Sequence, residues 1–126
     1  MTSINYAAVA ERYIAAWNAG DPAARRTAVA AAFADGATYV DPMMTGTGHD
    51  GIEAMIGAAQ GQFPGFAFRL APGVDGFADR VRFSWELGPV GTDQTVIAGT
   101  DVCELAEDGR LRAVVGFIDR MPGGEG

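Results

Sequence analysis

The feature that most constrains this chain is a change of period at Phe63-Pro64-Gly65. Before it, apolar residues recur every three or four positions, as one face of a helix requires. After it they alternate at every second position, as a half-buried strand requires. Helices first and strands afterwards predict an α+β domain, with three helices packed on a strongly curved antiparallel sheet. A cone of that kind leaves an apolar pocket between concave sheet and helices. A chain of 126 residues supports one such core. Residues 1–122 are therefore read as a single domain, and 123–126 as a frayed tail.

The helical half divides at Gly20-Asp21-Pro22. Ser3 is the expected cap of a first helix over residues 4–19, whose Tyr6, Val9, Tyr13, Ala16 and Trp17 share a face. Asp21, followed by Pro22 at the first helical position, opens a second helix that carries Val29 and Phe33 and ends at Gly36. Residues 37–41 then form a short strand. It stops at Asp41 because Pro42 lacks an N–H and disfavours helical backbone before it. A loop over 43–50 leads to a helix over 51–62, with Ile52, Met55, Ile56 and Ala59 facing inward. Strands are expected near 66–72, 77–88, 94–106 and 110–120, the last two joined by a hairpin at Glu107-Asp108-Gly109.

Charge and motifs exclude several classes of function. A net charge of −7 and a pI near 4.4 oppose contact with nucleic-acid phosphates. No run is long enough to span a membrane, and the N-terminus lacks the basic-then-apolar pattern of a secretion signal. The single Cys103 cannot form an intramolecular disulfide and suits a reducing, cytoplasmic compartment. Residues 46–51 spell G-x-G-x-x-G, but helices followed by antiparallel strands supply no parallel sheet for a dinucleotide. His49, the only histidine, has no spaced partners for zinc, so neither metal nor cofactor is expected.

Three residues remain as candidates for chemistry. Asp41 ends a strand that faces the helical layer. Tyr13 shares a helix face with Trp17. Asp101 lies in the apolar run 96–102, where a carboxyl group must be paired or protonated. Arg112 and Arg120 are its possible partners.

The runs Tyr13-Ile14-Ala15-Ala16-Trp17-Asn18-Ala19-Gly20-Asp21 and Phe33-Ala34-Asp35-Gly36-Ala37-Thr38-Tyr39-Val40-Asp41-Pro42, with Gly99-Thr100-Asp101-Val102 and Asp108-Gly109-Arg110-Leu111, resemble the nuclear transport factor two-like superfamily. The SnoaL-like branch is the nearest. Within the superfamily the ketosteroid isomerases give the most specific match. Arg12-Tyr13-Ile14, Asp41-Pro42 and Asp101-Val102 stand where those enzymes carry a catalytic tyrosine, a general base and an oxyanion-hole acid. The resemblance implies the cone-shaped fold and a cofactor-independent proton transfer on a small hydrophobic carbonyl compound, by an isomerase or a polyketide cyclase-like enzyme. Asp41 would be the base, with Tyr13 and an Asp101 that is neutral at pH 7 as oxyanion donors.

Trp17, Phe33, Met55, Trp85, Val114 and Ile118 are the candidate pocket wall, and a homodimer is expected because the outer sheet face needs covering. Phe33 and Ile56 stand where the isomerases often have supporting tyrosines. Trp17 replaces a smaller residue, which predicts a narrower pocket. Val114-Val115-Gly116 lacks the arginine that epoxide-hydrolase relatives need. The alternative is a non-catalytic binding module of the same fold, holding an apolar ligand or a partner chain. Whether Asp41 and Asp101 face a common point near Tyr13 separates the two.

Overall fold

Asn5, rather than Ser3, caps the first helix. Its side-chain oxygen accepts the Ala8 N–H at 3.0 Å, and α1 runs Tyr6–Asn18. Asp21 caps α2 (Pro22–Ala32) as expected, accepting the Ala24 N–H at 2.9 Å, with Pro22 in the first turn. The structure, a computed structural model, describes residues 3–122, so the expected tail lies outside the described residues.

The second helix ends at Ala32 instead of Gly36, and Phe33 already opens strand β1 (Phe33–Val40). Gly36, at φ +72°, sits in an irregularity between Phe33 and Thr38, not at a helix terminus. A short strand β2 (Thr45–Thr47) folds back on β1 within the expected loop, and α3 follows as Gly48–Gln62. The remaining strands are β3 (Phe66–Leu70), β4 (Asp75–Phe77), β5 (Arg80–Pro89), β6 (Ile97–Leu105) and β7 (Leu111–Arg120).

The strands form one sheet in the order β2-β1-β7-β6-β5-β3, with β4 on β5. Consecutive strands β5, β6 and β7 pair antiparallel, as short connections require. The expectation of a wholly antiparallel sheet needs one change: β1 runs parallel to β7, with Tyr39 opposite Val114. The rest of the domain serves as the crossover between them. The sheet curls into a half-barrel around the three helices, the α+β cone.

Inward residues alternate along β5 as Val81, Phe83, Trp85 and Leu87, and along β6 as Ile97, Gly99, Asp101, Cys103 and Leu105. They meet Val9, Tyr13 and Trp17 of α1 and Ile52 and Ile56 of α3 in one core. Each large apolar side chain so buried contributes roughly 1.5–3 kcal/mol. Asp101 interrupts this face at 0 % exposure. Among the described residues no helix is long and apolar enough to cross a membrane.

Candidate active site

Asp41 closes β1 by folding its own carboxylate over the next turn. One oxygen, Oδ1, accepts the N–H groups of Met43 at 2.7 Å and Met44 at 2.9 Å. The other, Oδ2, accepts the Tyr39 hydroxyl at 2.5 Å. The residue is thus both the turn-forming aspartate that a following proline favours and a carboxylate on the wall of an apolar cleft. Three donors fix its orientation.

Asp101 is held from the opposite layer. The Tyr13 hydroxyl of α1 donates to its Oδ2 at 2.6 Å, while its Oδ1 is buried with no hydrogen-bond partner. Arg112 pairs with Glu104 and Asp79 instead. Burial pushes the Asp101 carboxyl up to about 6, opposed by the Tyr13 hydroxyl and the Trp85 indole and aided by the Asp41 and Asp119 charges. The protonated form of this carboxyl is therefore favoured more than in an ordinary aspartate. Burial and the Asp101 charge likewise raise the Tyr13 phenol well above its usual range.

Gly116 of β7, opposite Asp101 in register, marks where the Asp41 and Asp101 side chains approach one another. A Cβ added there would sit 2.8 Å from Asp101 Oδ1, 3.1 Å from Asp41 Cβ and 3.4 Å from the Tyr39 hydroxyl. Asp41, Asp101 and Tyr39 thus surround one point above a bare backbone, and Tyr13 reaches the same group from the helix. Residues from α1, β1 and β6 converge there.

The cleft beside them has a volume of about 40 Å³, room for about three water molecules. Tyr13, Trp17, Tyr39, Asp41, Met43, Met44, Phe68, Trp85 and Ile118 are among its walls. Of the expected wall, Trp17, Trp85 and Ile118 line it. Phe33, Met55 and Val114 do not: they are buried one layer behind, Phe33 with its ring 5.8 Å from that of Tyr13. Asp101 also lies behind the wall, covered by Tyr13. Cys103 is buried inward on the same strand as Asp101, and His49 packs its Nε2 against the Phe33 carbonyl at 2.7 Å, outside the cleft.

A second chamber of about 160 Å³ shares Trp17, Ala59, Phe63, Phe68 and Leu87 with the cleft. Trp17 stands between them, with ring centroids 5.2 Å from Phe68 and 5.6 Å from Tyr39. Trp17→Leu is expected to join the two spaces at a cost of about 2 kcal/mol in stability. Longer aliphatic ketones should then bind roughly tenfold more tightly relative to short ones, read by quenching of Trp85 fluorescence. Unchanged chain-length preference would show that Trp17 is no divider.

Tyr39 is the member of the cluster that sequence reasoning did not single out. Its position two residues before Asp41 on a strand was the available signal, because period-two geometry puts both side chains on one face.

A family model described as a SnoaL-like domain matches residues 10–114. Among solved structures, the chain is similar to a SnoaL-like family protein from Agrobacterium tumefaciens, described as a candidate isomerase. The match has a TM-score of 0.85 and 46% identity, and covers 90% of this chain and 97% of that one. A SnoaL-like candidate polyketide cyclase from Jannaschia matches at TM-score 0.73 and 18% identity, over 94% of this chain and 90% of its own. A protein of ketosteroid isomerase-like fold from Catenulispora acidiphila, solved with trimethylamine, matches at TM-score 0.68 and 18% identity, over 86% and 82%. At that identity the last two share the fold alone. Among curated proteins no sequence matches. The family model over most of the chain and the high identity to the Agrobacterium protein together show that this chain belongs to the SnoaL-like domain family.

Proposed function

We propose that the chain is a cofactor-independent proton-transfer enzyme acting on a small hydrophobic carbonyl compound. The observation that carries this reading is the meeting of the Tyr39–Asp41 and Tyr13–Asp101 pairs around one point beside an apolar cleft. The Agrobacterium relative, described as a candidate isomerase, agrees with it.

In this reading Asp41 removes a proton from the carbon next to the carbonyl. The C–H electron pair forms the C=C bond of an enolate, and the carbonyl π pair moves onto oxygen. That oxygen needs a donor where the charge develops, and Tyr13 is on the cleft wall. Its proton is directed at Asp101 in the resting arrangement. For it to turn to the substrate, Asp101 must hold a proton of its own and donate to the Tyr13 oxygen. Asp101 thus acts through Tyr13 instead of as a second direct donor. Return of the proton from Asp41 to another carbon completes an isomerisation; attack of the enolate carbon on a second carbonyl closes a ring, the π pair of that carbonyl moving onto its oxygen, which takes the proton from Asp41.

The test uses cyclohex-3-enone, which fits a narrow cleft better than a steroid. Expected is a catalysed rise of conjugated-enone absorbance with no metal or cofactor added, faster below pH 6 than at pH 8 because Asp101 must be protonated. Binding without turnover of this or larger β,γ-unsaturated ketones would favour the non-catalytic binding module.

We also propose that the outer sheet face joins two copies of the chain. Val40, Val102, Val115 and Phe117 are 47%, 43%, 45% and 55% exposed there, and Val115 stands opposite both Val40 and Val102 in register. Phe117→Glu is expected to convert a dimer into a monomer in light scattering at micromolar concentration; a monomeric parent would sink the idea.

A further inference from the structure

We infer that Tyr39 assigns the two carboxyl groups their different roles: its single hydroxyl proton serves Asp41, and Asp101 is left as the one that takes up a proton. The inference rests on the proton-transfer reading for its mechanistic meaning, but not for its geometry. A tyrosine hydroxyl has one proton to donate. Tyr39 gives it to Asp41 Oδ2 at 2.5 Å, although it borders the same gap above Gly116 as the unpartnered Asp101 Oδ1. Asp41 then has three donors, and Asp101 has the Tyr13 hydroxyl and the nearby Trp85 indole. Burial disfavours ionised Asp101, and the Tyr39 hydroxyl that could offset it is spent on Asp41.

Few other groups could do this sorting. From α1 comes Tyr13, already committed to Asp101. From β5 comes the Trp85 indole, which also favours ionised Asp101 and so works against the observed asymmetry. From β6 comes Cys103, a buried thiol whose ionisation burial opposes. From β7 comes Asp119, bound by Thr100 at 2.6 Å, whose charge bears on Asp101. The buried Arg25 of α2 is paired with Glu53 of α3, and His49 is engaged with the Phe33 carbonyl. On the Asp41 side the Met43 and Met44 backbone N–H groups are fixed by the turn, and the Tyr39 hydroxyl is the donor that can rotate.

Sorting matters because a base and an acid are needed at once. Two interacting carboxyl groups titrate as a pair, and a proton resting on Asp41 would leave the site without a base. With Tyr39 on Asp41, the proton resides on Asp101, where it can support Tyr13. When Asp41 takes the substrate proton it needs no donor. Tyr39 is then free to turn toward Asp101 Oδ1, and swings back as Asp41 releases the proton. Tyr39 is in these terms a positioning residue, not a group that touches substrate.

The test is Tyr39→Phe, which keeps the ring and removes the hydroxyl. Carboxyl ¹³C spectra of Asp101 read its effect without turnover. In Asp41→Asn the Asp101 titration should fall below its wild-type value near 6, because the neighbouring charge is gone and Tyr39 can turn to it. In Asp41→Asn/Tyr39→Phe it should rise again. Equal titration in the single and double variants overturns the inference even if the protein proves to have no activity at all. Loss of turnover in the parent protein with the titration behaving as stated would instead fault the proton-transfer reading alone.

Discussion

Asp41→Asn is expected to slow enone formation by about 10²–10⁴-fold, the usual worth of a positioned general base. Binding of the saturated ketone should change little. The substitution is informative because asparagine keeps most of what the carboxylate does for the fold. Its Oδ1 can still accept the Met43 and Met44 N–H groups, so the turn after β1 survives. Its amide can donate to the Tyr39 oxygen where Asp41 accepted from the hydroxyl. What it cannot do is take a proton from carbon. Asp41→Ala mixes the two effects, since it strips the turn of its acceptor and leaves the Tyr39 hydroxyl without its present partner. Full turnover in Asp41→Asn would move the base elsewhere, and Asp101 would be the first group to examine.

The order of elements was legible because it depends on local period alone. The Asp21-Pro22 start of α2 was legible too, since a cap followed by proline has few other uses. Gly36 misled because glycine at positive φ ends helices and forms strand irregularities equally well. Phe33, just before it, is buried in either arrangement. Ser3 and Asn5 are both good caps, and the choice falls to the residue whose backbone is extended where the helix begins. The parallel β1–β7 pairing had no local trace: alternation tells which face a side chain takes, but not the direction of a partner far along the chain.

The site divides along the same line. Asp41, Tyr13 and Asp101 could be named from the sequence, the last two because a tyrosine on an apolar helix face and an aspartate in an apolar strand both need partners. That they satisfy each other at 2.6 Å depends on how α1 lies across β6, which no single segment encodes. Phe33, Met55 and Val114 face inward as expected, yet an inward face does not say whether the next thing inward is a cavity or another side chain. Gly116 was legible only as the absence of an arginine. Its missing Cβ is what leaves room for the Asp101 carboxyl, the Asp41 side chain and the Tyr39 hydroxyl.

Asp101→Asn is expected to abolish a pH dependence built into the fold. The Asp101 carboxyl is pushed up to about 6 from an ordinary value of 3.8, so between those limits the folded protein binds a proton that the unfolded chain releases. Stability contributed by this group is therefore fully present below about pH 4 and is lost as pH rises through 6. The loss is on the order of 3 kcal/mol, from about 1.4 kcal/mol for each pH unit of displacement. Asparagine remains neutral throughout and can still accept the Tyr13 hydroxyl. Urea denaturation should find the variant close to wild type at pH 4 and more stable than wild type at pH 8, with the difference opening between the two. A variant that is less stable at pH 8 would mean that ionised Asp101 is better satisfied than its unpartnered Oδ1 indicates. The same variant should lose the alkaline fall in turnover, because its amide offers Tyr13 a permanent donor in place of a titrating one. Greater stability together with a flattened rate profile would tie both effects to one buried proton, and stability gained with the rate profile unchanged would separate Asp101 from the chemistry.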